Sequence, residues 1–188
     1  MTYHPLMINW QHKKITVIGG GSVAERKIKS YLKTGAIITI ISPVITPNLY
    51  QLVQEKEISW QEKTYEPTDT EDALYIIAAT NNAALNEEIM KSCEPHQLTL
   101  NVSNHRSSNT MMPAIMKQEN LQIAVSTNGA SPIVAQKVRN QIKQLIEAQQ
   151  LEYNIARIAK KRREIIDEEL NEQKQQQLQL LTSDFILE

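Results

Sequence analysis

The sequence has a single cysteine, Cys93, among its 188 residues. An internal disulfide and a metal centre built on several cysteines are therefore excluded, and a reducing compartment fits this usage. No apolar run approaches the roughly 18 residues that a membrane-spanning helix requires. The first 14 residues also lack the apolar core of a secretory signal. The composition predicts a soluble, cytoplasmic protein without a membrane partner.

An excess of charge of either sign is also absent. The chain carries 20 Lys and Arg against 21 Asp and Glu, a formal net charge of −1. Because general nucleic-acid binding usually requires a basic excess, no nucleic-acid partner is expected. The four histidines are scattered, and neither they nor the carboxylates show metal-ligand spacing, so we predict no metal site.

Glycine is scarce, and three of the five glycines are consecutive, Gly19 to Gly21. They follow the β-branched run from Ile15 to Ile18 and precede a helical pattern of apolar residues, which comprises Ala24, Ile28, Tyr31 and Leu32. Gly19, Gly21 and Ala24 fit the pattern G-x-G-x-x-G/A, in which a tight turn brings backbone N–H groups, here those of Ser22 and Val23, to a pyrophosphate. A purely structural glycine turn is the alternative.

Strand and helix patterns alternate through most of the chain, which predicts a doubly wound parallel sheet of the Rossmann-like α/β class. The strand candidates are Ile15–Ile18, Ile37–Ile41, Ile58–Gln61, Leu74–Ala79, Leu98–Val102 and Leu121–Ser126. Helical patterns follow the first, second, fourth and sixth of them. Asn81 or Asn82 is predicted to cap the third helix.

The fourth helix is predicted to start at Pro132, with Ser131 as its cap and an apolar stripe of Val134, Val138, Ile142 and Leu145. Residues 150–188 contain no Gly or Pro and predict one or two helices outside the sheet, with Leu151, Ile155, Ile158 and Ile165 as an incomplete stripe. Their basic residues, Arg157 to Arg163, precede an acidic run that includes Glu168, Glu169 and Glu172. Either a solvated helix or a basic surface for a polyanionic substrate fits this charge pattern.

The end of the second strand bears on the cofactor. An NAD-binding domain usually has an acidic residue there for the ribose, and Ser42 occupies that place in this chain. A serine hydroxyl is able to bind a ribose hydroxyl. No Arg or Lys follows immediately to pair with a 2′-phosphate, so the sequence favours NAD over NADP.

Six segments together resemble one known family. They are "VIGGGSVAERK", "ISP", "AATNNAALN", "LNVSN", "MMPAIM" and "IAVSTNGASPIVAQKVRNQI", in the order and spacing typical of precorrin-2 dehydrogenases, the siroheme synthase N-terminal-like enzymes. The resemblance covers residues 5 to about 147. It implies NAD-dependent oxidation of a tetrapyrrole, precorrin-2, to sirohydrochlorin in a homodimer. The implied domains are an NAD-binding domain (1–112), a dimerisation segment (113–149) and a helical C-terminal region (150–188).

The resemblance also implies site residues. Gly19, Gly21, Ser22 and Val23 match the pyrophosphate site, Pro43 and Val44 the adenosine ribose side, and Thr80 the nicotinamide side. A loop of four residues, Ser126, Thr127, Asn128 and Gly129, matches one that faces the substrate, although the residues alone favour a helix-entry loop capped by Ser131. Pro43 and Thr80 read equally as the end of a strand and the start of a turn.

Asn104 departs from the family pattern, which usually has an aspartate there as the group that handles protons. Asparagine does not titrate, so it orients or hydrogen-bonds but does not act as a general base. His105 is the neighbouring candidate for the proton, with an exposed loop histidine as the alternative. Asn104 and His105 are therefore the predicted catalytic residues. Some relatives also insert iron, which benefits from a side-chain base, so we expect dehydrogenation without chelation.

Three alternatives stay open at this point. The first is a bifunctional dehydrogenase and ferrochelatase. The second is a regulatory NAD-binding module that has lost catalysis, and the third is an interaction protein whose helical tail binds a partner. Fold alone does not choose among them, because doubly wound sheets serve many functions.

Overall fold

The computed structural model describes residues 3–118, 121–148 and 151–167. The chain forms two compact units, Met1–Met111 and Met112–Glu188. Within the described residues, no helix combines the length and the apolar composition needed to cross a bilayer.

The first unit is a five-stranded parallel sheet with helices, as the sequence predicts. Its strands are β1 (Lys14–Ile18), β2 (Ile37–Ile41), β3 (Ser59–Gln61), β4 (Tyr75–Ala78) and β5 (Leu98–Asn101), in the spatial order β3-β2-β1-β4-β5. Its helices are α1 (Ser22–Lys29), α2 (Pro47–Gln54) and α3 (Ala83–Ser92), with short 3₁₀ turns at Pro67–Thr70 and His105–Ser107. The strand order steps outward from β1 in both directions, which places the switch point between β1 and β4.

The strands of this sheet are nearly continuous apolar runs because both faces are covered. Val17, Ile40, Ile76 and Ile77 have no exposed surface, and Ala24 and Ile28 of α1 are equally buried. The predicted α1 stripe is too long, however. The helix ends at Lys29, because Lys33 and Gly35 reverse the chain with positive φ angles of 65° and 79°.

Tyr31, which the stripe assigned to α1, lies instead in an aromatic cluster. Its ring meets those of Trp10 and Tyr75 edge-on, at centroid distances of 5.2 and 5.8 Å. Burial raises the pKa of both Tyr31 and Tyr75 above the ordinary tyrosine value.

The prediction that Leu121–Ser126 is a sixth strand of the parallel sheet is wrong. Residues Leu121–Val125 form β7, which pairs antiparallel with β6 (Ala114–Gln118) in a separate two-stranded sheet. The sequence analysis missed β6 because Met112 and Pro113 precede a segment with weak alternation. Only two residues separate β6 from β7 in the sequence, which is enough to join an antiparallel pair, whereas a parallel pair would need a much longer crossover connection.

Helix α4 (Pro132–Ala148) covers this hairpin and is followed by α5 (Leu151–Asp167). The Ser131 cap is confirmed, because its Oγ accepts the N–H of Val134 at 3.3 Å. Only part of the predicted stripe faces the core: Ile142 packs with Ile146 against Met116, whereas Val134, Val138 and Leu145 are exposed. Glu168, Glu169, Glu172 and the rest of residues 168–188 lie outside the described residues, as do the side chains of Leu151 and Ile165.

Candidate cofactor and substrate site

The loop after β1 crosses the carboxyl end of the sheet in close contact with its neighbours. Gly19 has a φ of +109°, and a Cβ atom there would overlap the carbonyl oxygen of Ala79 and lie 2.9 Å from the nitrogen of Thr80. Its N–H donates to the carbonyl of Ile41 at 2.9 Å. Only glycine satisfies both the left-handed backbone and this approach. The first glycine therefore joins the ends of β1, β2 and β4.

Gly20 also approaches a neighbouring backbone too closely for a side chain, in this case the segment that follows β2. A Cβ atom on Gly20 would overlap the carbonyl oxygen of Val44, and its own carbonyl accepts the N–H of Thr46 at 3.0 Å. The segment Ser42–Thr46 is therefore tied to the glycine loop by backbone atoms.

Gly21 is different, because nothing lies within 4 Å of the position that its Cβ atom would occupy. It is the N-cap of α1, and no side chain caps this helix end. The N-terminal N–H groups of a helix attract anions, and here they border open space. This geometry fits the pyrophosphate of a dinucleotide, with Ser22 and Val23 as the first helical residues.

Glu25 lies behind this loop and holds α1 to the start of α2. Its carboxylate accepts hydrogen bonds from Lys29 Nζ at 2.7 Å, Thr46 Oγ1 at 2.7 Å and Asn48 Nδ2 at 2.9 Å. These three bonds, that from Lys29 first, lower the pKa of Glu25 from 4.5 to about 2. The sequence analysis did not select Glu25. An acidic residue in the first turn of the helix was the available signal.

On the ribose side, Ser42 has an internal partner. Its side chain is buried, and Oγ donates to the carbonyl of Val44 at 2.7 Å, while Trp60 Nε1 donates to the carbonyl of Ser42 at 2.8 Å. Pro43 and Val44 are exposed at the outer surface of the segment, with 75% of Val44 accessible. Ser42 shapes this turn in the structure, and its predicted contact with a ribose stays a prediction.

Thr80 stands at the end of β4, in a network centred on Asn86. Asn86 is fully buried, and its Oδ1 accepts both the N–H of Thr80 at 3.2 Å and Thr80 Oγ1 at 2.7 Å. Its Nδ2 donates to the Thr80 carbonyl at 3.1 Å and to Ser103 Oγ at 2.6 Å. Asn82 caps α3, as predicted, by accepting the N–H groups of Ala84 and Leu85. Asn86 therefore links the loops after β4 and β5.

Asn104 lies in the loop after β5 with both ends of its amide engaged. Oδ1 accepts the N–H of Arg106 at 3.1 Å, and Nδ2 donates to Glu87 Oε1 at 2.8 Å. The neighbouring His105 is exposed. Neither Asn86 nor Glu87 was selected from sequence, although an asparagine between Leu85 and Ile89 is a poor helix former and was a usable signal.

The loop Ser126–Gly129 belongs to the second unit. Thr127 Oγ1 accepts the N–H of Ser131 and donates to its carbonyl, both at 3.0 Å. Asn128 and Gly129 have positive φ angles of 50° and 84°, and both are exposed. The helix-entry interpretation is confirmed as geometry, and a contact of this loop with substrate stays a prediction.

The candidate cofactor residues thus come together, since the glycine loop touches both the Ser42–Thr46 segment and Thr80. Among the residues that the structure describes, no group of three or more His, Cys, Asp or Glu has the geometry of a metal site.

Comparison with known proteins bears on this arrangement. Residues 6–114 match the model of an NAD(P)-binding family, and residues 118–145 match a model described as the central part of sirohaem biosynthesis proteins. The glycine loop, Thr80 and Asn104 all lie within the first match.

Three relatives are informative. Precorrin-2 dehydrogenase of Bacillus subtilis (strain 168) is 41% identical over 143 residues, which cover 76% of this chain and 88% of that protein. Siroheme synthase of Baumannia cicadellinicola subsp. Homalodisca coagulata is 33% identical over 147 residues, but the chain spans only 32% of its length. The solved structure of SirC, a precorrin-2 dehydrogenase, superposes with a TM-score of 0.83 at 23% identity over 97% of this chain and 90% of that one, which supports the fold.

The first relative is matched along nearly its whole length, and the NAD(P)-binding family model covers more than half of the chain. The glycine loop and the parallel sheet on which it lies are thus parts of a nicotinamide-dependent dehydrogenase, and the chain belongs to the precorrin-2 dehydrogenase family.

Proposed function

We propose that this chain is a cytoplasmic, homodimeric enzyme that oxidises precorrin-2 to sirohydrochlorin with NAD. The observation that carries the proposal is the convergence of three loops at the carboxyl end of the sheet around the open N-terminus of α1. The 41% identity to a precorrin-2 dehydrogenase over 88% of its length supports the substrate.

Oxidation of precorrin-2 removes two electrons and two protons from the macrocycle, as one hydride and one proton. Bound NAD supplies the hydride acceptor. The N–H groups of Ser22 and Val23 would hold its pyrophosphate, and the backbone around Thr80 would border the nicotinamide end. The protein's main contribution is orientation, because hydride transfer requires the two carbon atoms in close and aligned contact.

The proton released with the hydride needs an acceptor, and Asn104 does not titrate. In this proposal water or the exposed His105 accepts the proton. We assign Asn104 to orienting the macrocycle, because its amide is held at both ends. We place the exposed loop Ser126–Gly129 on the substrate side, following the family pattern.

NAD is preferred to NADP in this proposal because residues 42–48, "SPVITPN", contain no cation. A 2′-phosphate binds tightly where an Arg or Lys pairs with it.

The dimer rests on the second unit. Its α4 exposes Ile133, Val134 and Leu145 to 67%, 48% and 60%, and β6 exposes Ile115 to 38%. We infer that these exposed apolar side chains lie at an interface, which a two-fold symmetric pairing would cover in both copies.

The test is turnover. We expect the purified chain to convert precorrin-2 with NAD, followed by the absorbance of sirohydrochlorin, with a lower kcat/KM for NADP. Addition of Fe(II) or Co(II) after conversion tests the expected absence of chelation. Absence of conversion with either nucleotide would contradict the proposed function.

A further inference from the structure

Glu87 lies at the centre of a set of hydrogen bonds in the first unit. Its Oε1 accepts from Asn104 Nδ2 at 2.8 Å, from Asn101 Nδ2 at 3.1 Å and from Ser107 Oγ at 3.1 Å. Asn101 is buried, and its Oδ1 in turn accepts the N–H groups of Ser103 and Asn104 at 2.9 and 3.2 Å. The carboxylate and the amide of Asn104 are therefore fixed relative to each other.

The charge of Glu87 has no cationic partner among the described residues. The ion pairs there involve other carboxylates, namely those of Glu25, Glu66, Asp69, Asp72 and Glu147. All three donors to Glu87 are neutral groups, and its second oxygen, Oε2, accepts no hydrogen bond within the described part of the chain. A half-buried carboxylate held in this way keeps its negative charge available to a positive charge that develops nearby.

A purely structural role would need only an acceptor at this position. A glutamine has an Oε1 of the same reach, so the loop after β5 does not by itself require a carboxylate. The distinction between an acceptor and a charge is therefore open to experiment.

We propose that Glu87 is a positioning residue for the dehydrogenation, which acts through Asn104. It orients the Asn104 amide and supplies the negative charge that would otherwise be missing where the family pattern has an aspartate. The proposal rests on the proposed function. As the macrocycle loses hydride it gains positive charge, and a fixed carboxylate one hydrogen bond behind Asn104 favours that state until the proton leaves to water.

The pair can be exchanged without loss of its hydrogen bond. In E87Q an amide oxygen replaces the carboxylate oxygen, so Asn104 keeps its acceptor but the charge is gone. In E87Q/N104D the negative charge returns at position 104 instead of position 87. The introduced carboxylate accepts a hydrogen bond from the introduced amide, so the two side chains stay joined. The matched control is E88Q, which removes the carboxylate of the exposed Glu88, the next residue of the same helix.

The experiment measures kcat and KM for precorrin-2 with saturating NAD, together with sirohydrochlorin binding by absorbance titration and the melting temperature by circular dichroism. We expect E87Q to lower kcat by at least about 10-fold relative to E88Q, because the fixed negative charge behind Asn104 is lost. KM and sirohydrochlorin affinity should stay within about 2-fold, and E87Q/N104D should recover to within about 3-fold of E88Q.

Equal kcat in E87Q and E88Q would overturn the role of Glu87 and leave the proposed function standing. A lack of recovery in E87Q/N104D would also overturn it. If E87Q does not fold, the test uses E87Q/N104D alone. A kcat of this double variant more than about 10-fold below that of E88Q would then contradict the proposed role of Glu87. No turnover by the unchanged chain would overturn the proposed function and this role with it.

Discussion

The carbonyl oxygen of Gly20 accepts the backbone N–H of Thr46 at 3.0 Å. This bond joins the loop after β1 to the first residue before α2, and the carboxylate of Glu25 holds the hydroxyl of the same Thr46 at 2.7 Å. The glycine loop and the turn before α2 thus share Thr46 as a common anchor.

Gly21→Asp is expected to abolish NAD binding while the fold is retained. Gly21 has a φ of −85° and a ψ of −175°, which any residue adopts, and its Cβ atom would enter open space. The new carboxylate would occupy and repel the pyrophosphate. Isothermal titration with NAD checks the loss, and the melting temperature checks the fold.

Two further variants serve as controls for Gly21→Asp. Gly21→Ala adds only a methyl group and should weaken NAD binding much less than Gly21→Asp. Gly20→Ala should instead lower the melting temperature, because its Cβ atom would overlap the Val44 carbonyl. Unchanged NAD affinity in a folded Gly21→Asp variant would remove the glycine loop from the site.

Glu25→Gln should destabilise the protein in a manner that depends on pH. The folded-state pKa of Glu25, about 2, lies below its ordinary value of 4.5, so ionisation stabilises the folded state above pH 4.5. That contribution is lost as the pH falls from about 4.5 to about 2. The difference in free energy of unfolding between the two proteins should therefore be largest near neutral pH and shrink in acid.

Urea unfolding at several pH values measures this difference. Glu57→Gln is the control, because Glu57 is exposed and its variant should follow the unchanged protein at every pH. A Glu25→Gln deficit that stays constant down to pH 2.5 would show that shape, rather than charge, is what the carboxylate contributes.

Asn86→Ala should be strongly destabilising. It removes four hydrogen bonds of a fully buried side chain and leaves the backbone N–H and carbonyl of Thr80 without these partners. A loss of at least about 2 kcal/mol in the free energy of unfolding is expected, because buried unpaired polar groups carry that order of cost. Asn81→Ala, at an exposed position, should change it by less than about 0.5 kcal/mol.

Val134→Glu should convert the expected dimer to a monomer. The side chain is 48% exposed in the single chain, on the α4 face that does not pack against the hairpin. A buried, unpaired carboxylate at an interface is unfavourable. Light scattering at micromolar concentration measures the mass, and Gln136→Glu, an exposed change on the same helix, should remain dimeric. A monomeric mass for the unchanged chain would contradict the dimer itself.

The parallel sheet was predictable because its strands are buried on both faces and therefore leave continuous β-branched runs, such as Ile37–Ile41. The hairpin of β6 and β7 was not, since Leu121–Val125 has the same strand pattern whichever strand it pairs with. The pairing depends on the connection between β6 and β7 and on α4, which covers the hairpin. The pattern of a single strand contains neither.

The candidate site divides in the same way. Gly19 and Gly21 were found because their spacing follows directly from the geometry of a strand, a turn and a helix. Asn86 and Glu87 were missed because their importance arises from contacts with Ser103 and Asn104, which lie 17 residues away in sequence. A single sequence shows which residues are unusual for a helix, but not which distant loop they hold.

The anchoring of the ribose-side turn has a consequence for redesign. Its shape is maintained by main-chain atoms of Gly20 and Thr46 and by the inward hydroxyl of Ser42, so the outward side chain of Val44 contributes little to it. Other side chains should therefore be tolerated at position 44 without a change in the backbone of the turn. If the proposed site is correct, Val44→Arg should lower the KM for NADP relative to that for NAD without changing the melting temperature, so that cofactor preference could be altered independently of folding.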